Sequence, residues 1–306
     1  MKHIIDHSEE GPTMMREIGR KNGLPLAGLA LATLLAVTPA QSAEHIKADA
    51  AIATPTDVAA SFTIYVGGLL FISGNFEAVM DDDNYRLAAT MGTAGTTRTF
   101  YPADYKLSSE GRLTQEHVQP HHYVSDTQAE RKTRKITMSY SRDGMPRLTA
   151  EPPYNPGDLD DVMPSLQQNT LDPISAFIMP VVAGENPCDR TIPVFDGKRR
   201  YDLKLAYEGE KQMTPRGLAK PVTAIVCTIR YVAVAPIERR KFTDMLRRND
   251  DMKVWLAPFD GGRVYMPVRF QLRTPLGGAV MELTQVKERL ATREPAPNAK
   301  TKTAMK

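Results

Sequence analysis

From Val58 onward the chain alternates. In VAASFTIYV, residues Phe62, Ile64 and Val66 fall on one face, and Gly67-Gly68 follows as a turn. A period of two closed by turn residues excludes a helix, whose apolar positions recur at three and four, and prescribes a half-buried strand. The beat repeats. Leu69 to Met80 reads as a strand with Gly74 as an expected bulge, and Asp81-Asp82-Asp83-Asn84 turns the chain into Tyr85 to Met91. Strand patterns follow at Arg112 to Val124 and at Arg131 to Tyr140, where Ile136, Met138 and Tyr140 alternate. Arg142-Asp143-Gly144 then turns into a short strand at Leu148. Turn signals every ten residues or so are the habit of an antiparallel meander.

Residues 151–170 interrupt this pattern with Pro152, Pro153, Pro156, Gly157 and Pro164, and read as a connector. Asp172 is a suitable N-cap and Pro173 a suitable first helical residue, which predicts a short helix from Pro173 to about Met179, ended by Pro180. Strands then resume at Thr191 to Phe195, Arg200 to Tyr207, Val222 to Val232, Met252 to Ala257, Arg263 to Leu272 and Ala279 to Val286. Pro236 to Arg248 is basic, with Phe242, Met245 and Leu246 as an apolar stripe, and reads as helical. Each half alone is an open sheet lacking a partner face. The expected architecture is therefore all-β: a single domain over 58–292, built as a curved antiparallel sheet or half-open β-barrel with one or two short helices. The segment 44–57 reads as a flexible lead-in, and 293–306, rich in Pro, Ala and Lys, as a disordered tail.

The N-terminus has the order of a secretory signal. Arg16, Arg20 and Lys21 precede an apolar run from Leu24 to Val37, then small residues through Ala43. The run is short of the roughly 20 residues that span a bilayer. The reading is a signal peptide over 1–43 with no transmembrane segment left after cleavage, the alternative being an uncut anchor. The start is open between Met1, Met14 and Met15. Removing 1–43 takes Lys2, Arg16, Arg20 and Lys21 with Asp6, Glu9, Glu10 and Glu17, so the net charge stays at +3. That balance is too small to argue for nucleic acid. An exported chain with two cysteines, Cys188 and Cys227, favours a disulfide over two buried thiols. The expected location is the periplasm.

The strings LDPISAF and CDRTIPVFDGKRRYDL, followed by VWLAPFD and YMPVRFQLRTPLG, resemble the exported bacterial family known as domain of unknown function 3108. The resemblance runs from about Tyr65 to Val286. It implies an all-β curved sheet, similar at fold level to the half-open barrels of periplasmic lipoprotein carriers. It places Cys188 in the family's C-x-x-T-x-P-V-F-D-G string and Cys227 at a cysteine of a later strand. It implies an envelope role and no known reaction.

No cluster meets the standard of a catalytic or metal signature. His117, His121 and His122 lie close together, but their spacing with Glu116 and Asp126 matches no zinc site. The run Asp81 to Asn84 lacks the alternation of a calcium loop, and Asp160-Asp161 reads as a solvated pair. G-x-S-x-G, H-E-x-x-H, P-loop and dinucleotide motifs are absent. No cofactor and no metal are expected. The leading reading is a non-catalytic binder of a lipid, acyl chain or hydrophobic peptide. Its candidate ligand-facing residues are Phe177, Ile178, Trp255 and Met266, drawn from a wider apolar set with Phe71, Phe76, Leu87, Met138 and Val226. The alternative is a structural or interaction protein for envelope integrity, binding an envelope component through a basic surface at Lys198, Arg199 and Arg200 and the segment Arg239 to Arg248. An unrecognised envelope hydrolase is a third reading.

Overall fold

The computed structural model describes residues 56–290 except 82, 131, 156–161, 217, 219 and 238–240. The signal peptide expected at 1–43, the lead-in up to residue 55, the tail at 293–306, Asp160, Asp161, Arg239 and Arg240 lie outside the described residues.

Alternation becomes strand throughout. The first half forms β1 (Thr56–Val66), β2 (Leu69–Asp81), β3 (Asn84–Thr93), β4 (Ala103–Leu113), β5 (Val118–Ala129), β6 (Lys132–Tyr140) and β7 (Pro146–Glu151). After the connector and the two-residue β8 (Met179–Pro180) come β9 (Thr191–Phe195), β10 (Arg200–Met213), β11 (Val222–Ala235), β12 (Met252–Phe259), β13 (Val264–Thr274) and β14 (Gly277–Leu290). Three short α-helices interrupt them: α1 (Thr96–Phe100), α2 (Pro164–Gln167) and α3 (Lys241–Arg248).

All strands join one antiparallel sheet in the order β7-β6-β5-β4-β3-β2-β1-β14-β13-β12-β11-β10-β9, with β8 on β13. Two hairpin meanders are thus zipped together by the first and last strands, paired from Thr56 opposite Leu290 to Val66 opposite Ala279 with one register shift at Ser61/Phe62. The sheet does not close, because β7 and β9 end the order without pairing to each other.

The connector blunts these two edges, which otherwise expose unpaired backbone. Leu171 N–H donates to the Pro193 carbonyl at 2.8 Å, and Phe195 N–H donates to the Leu171 carbonyl at 2.9 Å, on the β9 side. Toward β7, Asn169 N–H donates to Gly144 O at 3.0 Å and the Gln168 side chain to Asp143 O at 2.9 Å. The β9–β10 turn leans across the same gap. A methyl group at Gly197 would meet Ile136 at 2.9 Å and Leu148 at 3.1 Å.

Three sequence expectations are corrected. The strand expected from Arg112 to Val124 is two, because β4 ends at Leu113 and β5 begins at Val118, with Thr114 N–H donating to the His117 carbonyl across the turn between them. Gly74 is not a bulge: it pairs in register with Phe62 and Met91, and the irregularity lies instead at Ile64/Tyr65. Its role is space, because the Phe62 ring covers it, with Cζ 2.7 Å from where a Cβ would stand. The helix expected from Pro173 to Met179 is one 3₁₀ turn, Ser175–Phe177. It stops because Met179 and Pro180 are drawn into β13 as a strand, opposite Tyr265 and Val264.

Cys188 and Cys227 form a disulfide with Cα atoms 5.7 Å apart, tying the loop between β8 and β9 to β11. Among the described residues no helix is long and apolar enough to cross a membrane.

Candidate functional site

The inner face of the sheet carries Val58, Phe62, Met80, Leu87, Met138, Met266 and Leu283 in one buried cluster. The connector enters against this face at Asp172, and a polar network holds it there. Asp172 is fully buried. Its Oδ1 accepts the N–H groups of Ile174 at 3.0 Å and Ser175 at 2.9 Å, the capping role its position predicts. Its Oδ2 accepts the hydroxyls of Ser109 at 2.8 Å and Ser175 at 2.6 Å. The Ser175 hydroxyl meets Tyr85 Oη at 2.8 Å and Ser109 Oγ at 2.9 Å. Burial drives the Asp172 carboxyl above the usual carboxylate range, against the pull of these hydrogen bonds. Burial likewise pushes the Tyr85 phenol upward, with the nearby Asp172 carboxylate adding to it. Sequence reasoning found only the cap. Ser109 and Tyr85 lie 63 and 87 residues from Asp172 in the chain and carry no local signal.

The 3₁₀ turn thus anchored presents Phe177 between two apolar cavities. The larger, of about 470 Å³, is walled by Leu203, Leu205, Ile229, Met252, Val254 and Phe270 among others, with Leu246 of α3 at its margin. The smaller, of about 250 Å³, is walled by Val58, Phe62, Phe76, Leu107 and Met266 among others. Ile64, Pro173, Phe177, Pro267 and Met281 line both, so the two are contiguous. Phe177 stays 42% exposed although it stacks on Phe76 with centroids 6.2 Å apart.

Polar groups in the larger cavity are Asp196, Arg199, Tyr201, Tyr231 and Thr243. Asp196 Oδ1 accepts the N–H of Lys198 at 3.0 Å and of Arg199 at 2.7 Å, which shapes the turn. Its Oδ2 receives Arg199 Nε at 2.9 Å and pairs with Nη2 at 2.8 Å. The Tyr201 and Tyr231 rings stand 5.0 Å apart. Burial, and then Asp196, hold the Tyr201 phenol far above its ordinary value.

The expected ligand-facing residues separate. Phe177 and Met266 line the apolar cavities. Ile178 does not: it is a core side chain, 1% exposed, behind a more polar recess of about 680 Å³ that also takes in Glu116, His117 and Arg190. Trp255 does not either. Strand alternation gives the cavity wall to its neighbour Val254, and the Trp255 ring lies under the Arg269 guanidinium, 5.3 Å from its carbon.

The expected basic surface is also divided. Arg199 pairs with Asp196. Arg200 pairs with Asp202 at 2.7 Å and donates to Leu166 O at 2.9 Å. Lys198 Nζ lies 5.6 Å from the centre of the Tyr154 ring. The turn therefore spends its cations within the fold. His117 sits before β5 beside Glu116 at 3.7 Å, and His122 Nδ1 lies 3.4 Å from Ser139 Oγ. Among the described residues no three His, Cys, Asp or Glu side chains come together as a metal site.

A family model described as "Protein of unknown function (DUF3108)" matches residues 61–284. The chain belongs to this family. Among solved structures, this DUF3108 protein is similar to a beta-barrel-like protein of the domain of unknown function DUF1849 from Brucella abortus, at 11% identity over 77% of this chain and 98% of that one, TM-score 0.45. A hypothetical protein, CT021, from Chlamydia trachomatis is similar at 9% identity over 78% of this chain and 92% of that one, TM-score 0.29. No curated protein sequence matches the chain.

Proposed function

We propose that this DUF3108 protein is exported to the periplasm and binds one hydrophobic ligand on the inner face of its sheet. The observation that carries this reading is the pair of contiguous apolar cavities meeting at Phe177. Packed protein interiors keep few voids larger than a water molecule. Both are half-open clefts, and apolar wall left facing water is costly to a purely structural sheet, at about 25 cal/mol for each Å². The larger one falls in the roughly 300–1,000 Å³ range of small-molecule sites, and it has the expected make-up of apolar walls with a few convergent polar groups. The disulfide suits an oxidising compartment.

A catalytic reading of the Asp172–Ser175–Ser109–Tyr85 network gains no support. Both carboxylate oxygens are already engaged, and the group is buried where it anchors the connector. A polymer-binding reading of Lys198, Arg199 and Arg200 is weakened by their internal partners.

The test is native mass spectrometry of protein purified from periplasm without detergent, joined to titration with the neutral dye N-phenyl-1-naphthylamine. A mass excess extractable into organic solvent, or saturable uptake of one dye per chain, is expected. A bare polypeptide that takes up no dye overturns the proposal.

A further inference from the structure

We infer that the ligand is an aliphatic amphiphile with an uncharged, hydrogen-bonding head, such as an acylglycerol, fatty alcohol or fatty amide, and that its head sits at the Asp196–Tyr201 end of the larger cavity. This rests on the reading that the cavity holds a hydrophobic ligand, and it goes on to name the class.

The first argument is asymmetry. Asp196, Arg199 and Tyr201 come from the β9–β10 turn and the start of β10, and Tyr231 lies opposite Leu203 on the neighbouring strand. Apart from Thr243 of α3, the rest of the wall is aliphatic and aromatic, with Leu205, Ile192, Val254, Phe270 and Met281. The cavity continues past Phe177 into the smaller one, whose lining is apolar throughout. A ligand matching this surface has one polar end and a long apolar remainder.

The second argument is charge. Asp196 and Arg199 are the charged groups among the described residues lining the cavity, and they neutralise each other. Every Asp196 oxygen is taken, Oδ1 by two backbone N–H groups and Oδ2 by the guanidinium. A carboxylate or phosphate head would stand beside Asp196, facing an arginine already paired. An ammonium head would face that arginine. Either charge would meet a like charge and find no fresh counter-charge, which disfavours it. A hydroxyl, ester or amide avoids the problem.

The third argument is an open valence. Among the described residues the Tyr201 hydroxyl has a ring neighbour but no hydrogen-bond partner. Its phenol stays protonated at every physiological pH, so it offers a donor and an acceptor. A hydroxyl at the polar end of the cavity that can both donate and accept suits a neutral head that does the same.

The experiment is displacement of N-phenyl-1-naphthylamine from the oxidised full-length protein at pH 8, using 1-monolauroylglycerol, dodecanol, laurate and dodecylamine below their micellar concentrations. The two neutral ligands are expected to compete at least tenfold more tightly than laurate and dodecylamine. Tyr201→Phe is expected to weaken monolauroylglycerol about 5- to 10-fold more than it weakens the dye, one hydrogen bond's worth. Laurate binding as well as the neutral ligands overturns the inference while leaving the hydrophobic-ligand reading intact. So does a Tyr201→Phe variant that binds monolauroylglycerol like the parent. Failure of the dye and all four ligands to bind overturns both. The ranking on the unsubstituted protein decides the matter if Tyr201→Phe does not fold.

Discussion

Asp172 accepts four hydrogen bonds in the absence of any exposed surface. Removing the carboxyl strands two backbone N–H groups and two serine hydroxyls, so Asp172→Ala is expected to cost about 3 kcal/mol, read by urea unfolding. Its titration makes a sharper prediction. Burial raises the folded-state value above the unfolded one, near 3.9 in model peptides. The protonated form is then the one that folding favours. Its stability contribution is fully present below the unfolded value and is lost as pH rises through the folded value. The side-chain amide introduced by Asp172→Asn does not titrate. The stability of the parent relative to Asp172→Asn should therefore fall as pH is raised from about 4, and a relative rise over the same range would contradict the burial argument.

At the scale of elements, strand and turn positions were legible because alternation and Asp/Gly turns are local. Asp196-Gly197 and Arg142-Asp143-Gly144 turn the chain where their chemistry requires. The exceptions have long-range causes. Gly74 reads as a bulge in sequence, yet it is reserved for a ring twelve residues earlier. An alanine there would place Cβ 2.5 Å from the Thr90 carbonyl and 2.7 Å from the Phe62 ring. Gly74→Ala is thus expected to lose about 1–3 kcal/mol by overpacking, measurable as a lower unfolding midpoint with unchanged slope. The Pro173 segment has helical caps but ends as one 3₁₀ turn because β13 claims its last residues. Of the site, Phe177 and Met266 were legible as large apolar residues. The Asp196–Tyr201 end was legible only as a turn, since nothing local tells which wall it faces. The cysteine pair was readable from its even number, and it fastens the loop between β8 and β9 to β11 across 39 residues. Replacing both with serine should cost roughly 4 kcal/mol in the chain-entropy model, seen as a shift in the urea midpoint of the oxidised protein.

At the scale of the molecule, an alternating sheet makes a packed core and a lined pocket from the same residue types. Volume separates them, and volume can be altered. Ala279 lies on β14 at the wall of the larger cavity, opposite Val66 and Leu272, and is 8% exposed. An aromatic side chain is compatible with a strand, so Ala279→Phe asks one question: is there room? In a self-filled core the added ring would cost about 1–3 kcal/mol. In a ligand cavity the ring enters open space, and stability without ligand should change by less than about 1 kcal/mol. Dye uptake should then fall at least tenfold, because the ring occupies the dye's volume. The parent should also gain about 2.7 kcal/mol of stability at a ligand concentration one hundred times the Kd, while Ala279→Phe at that same concentration gains far less. A variant that is destabilised yet binds the dye unchanged would move the ligand elsewhere on the sheet. The predicted combination, stability retained and binding lost, is one that a packed core does not produce.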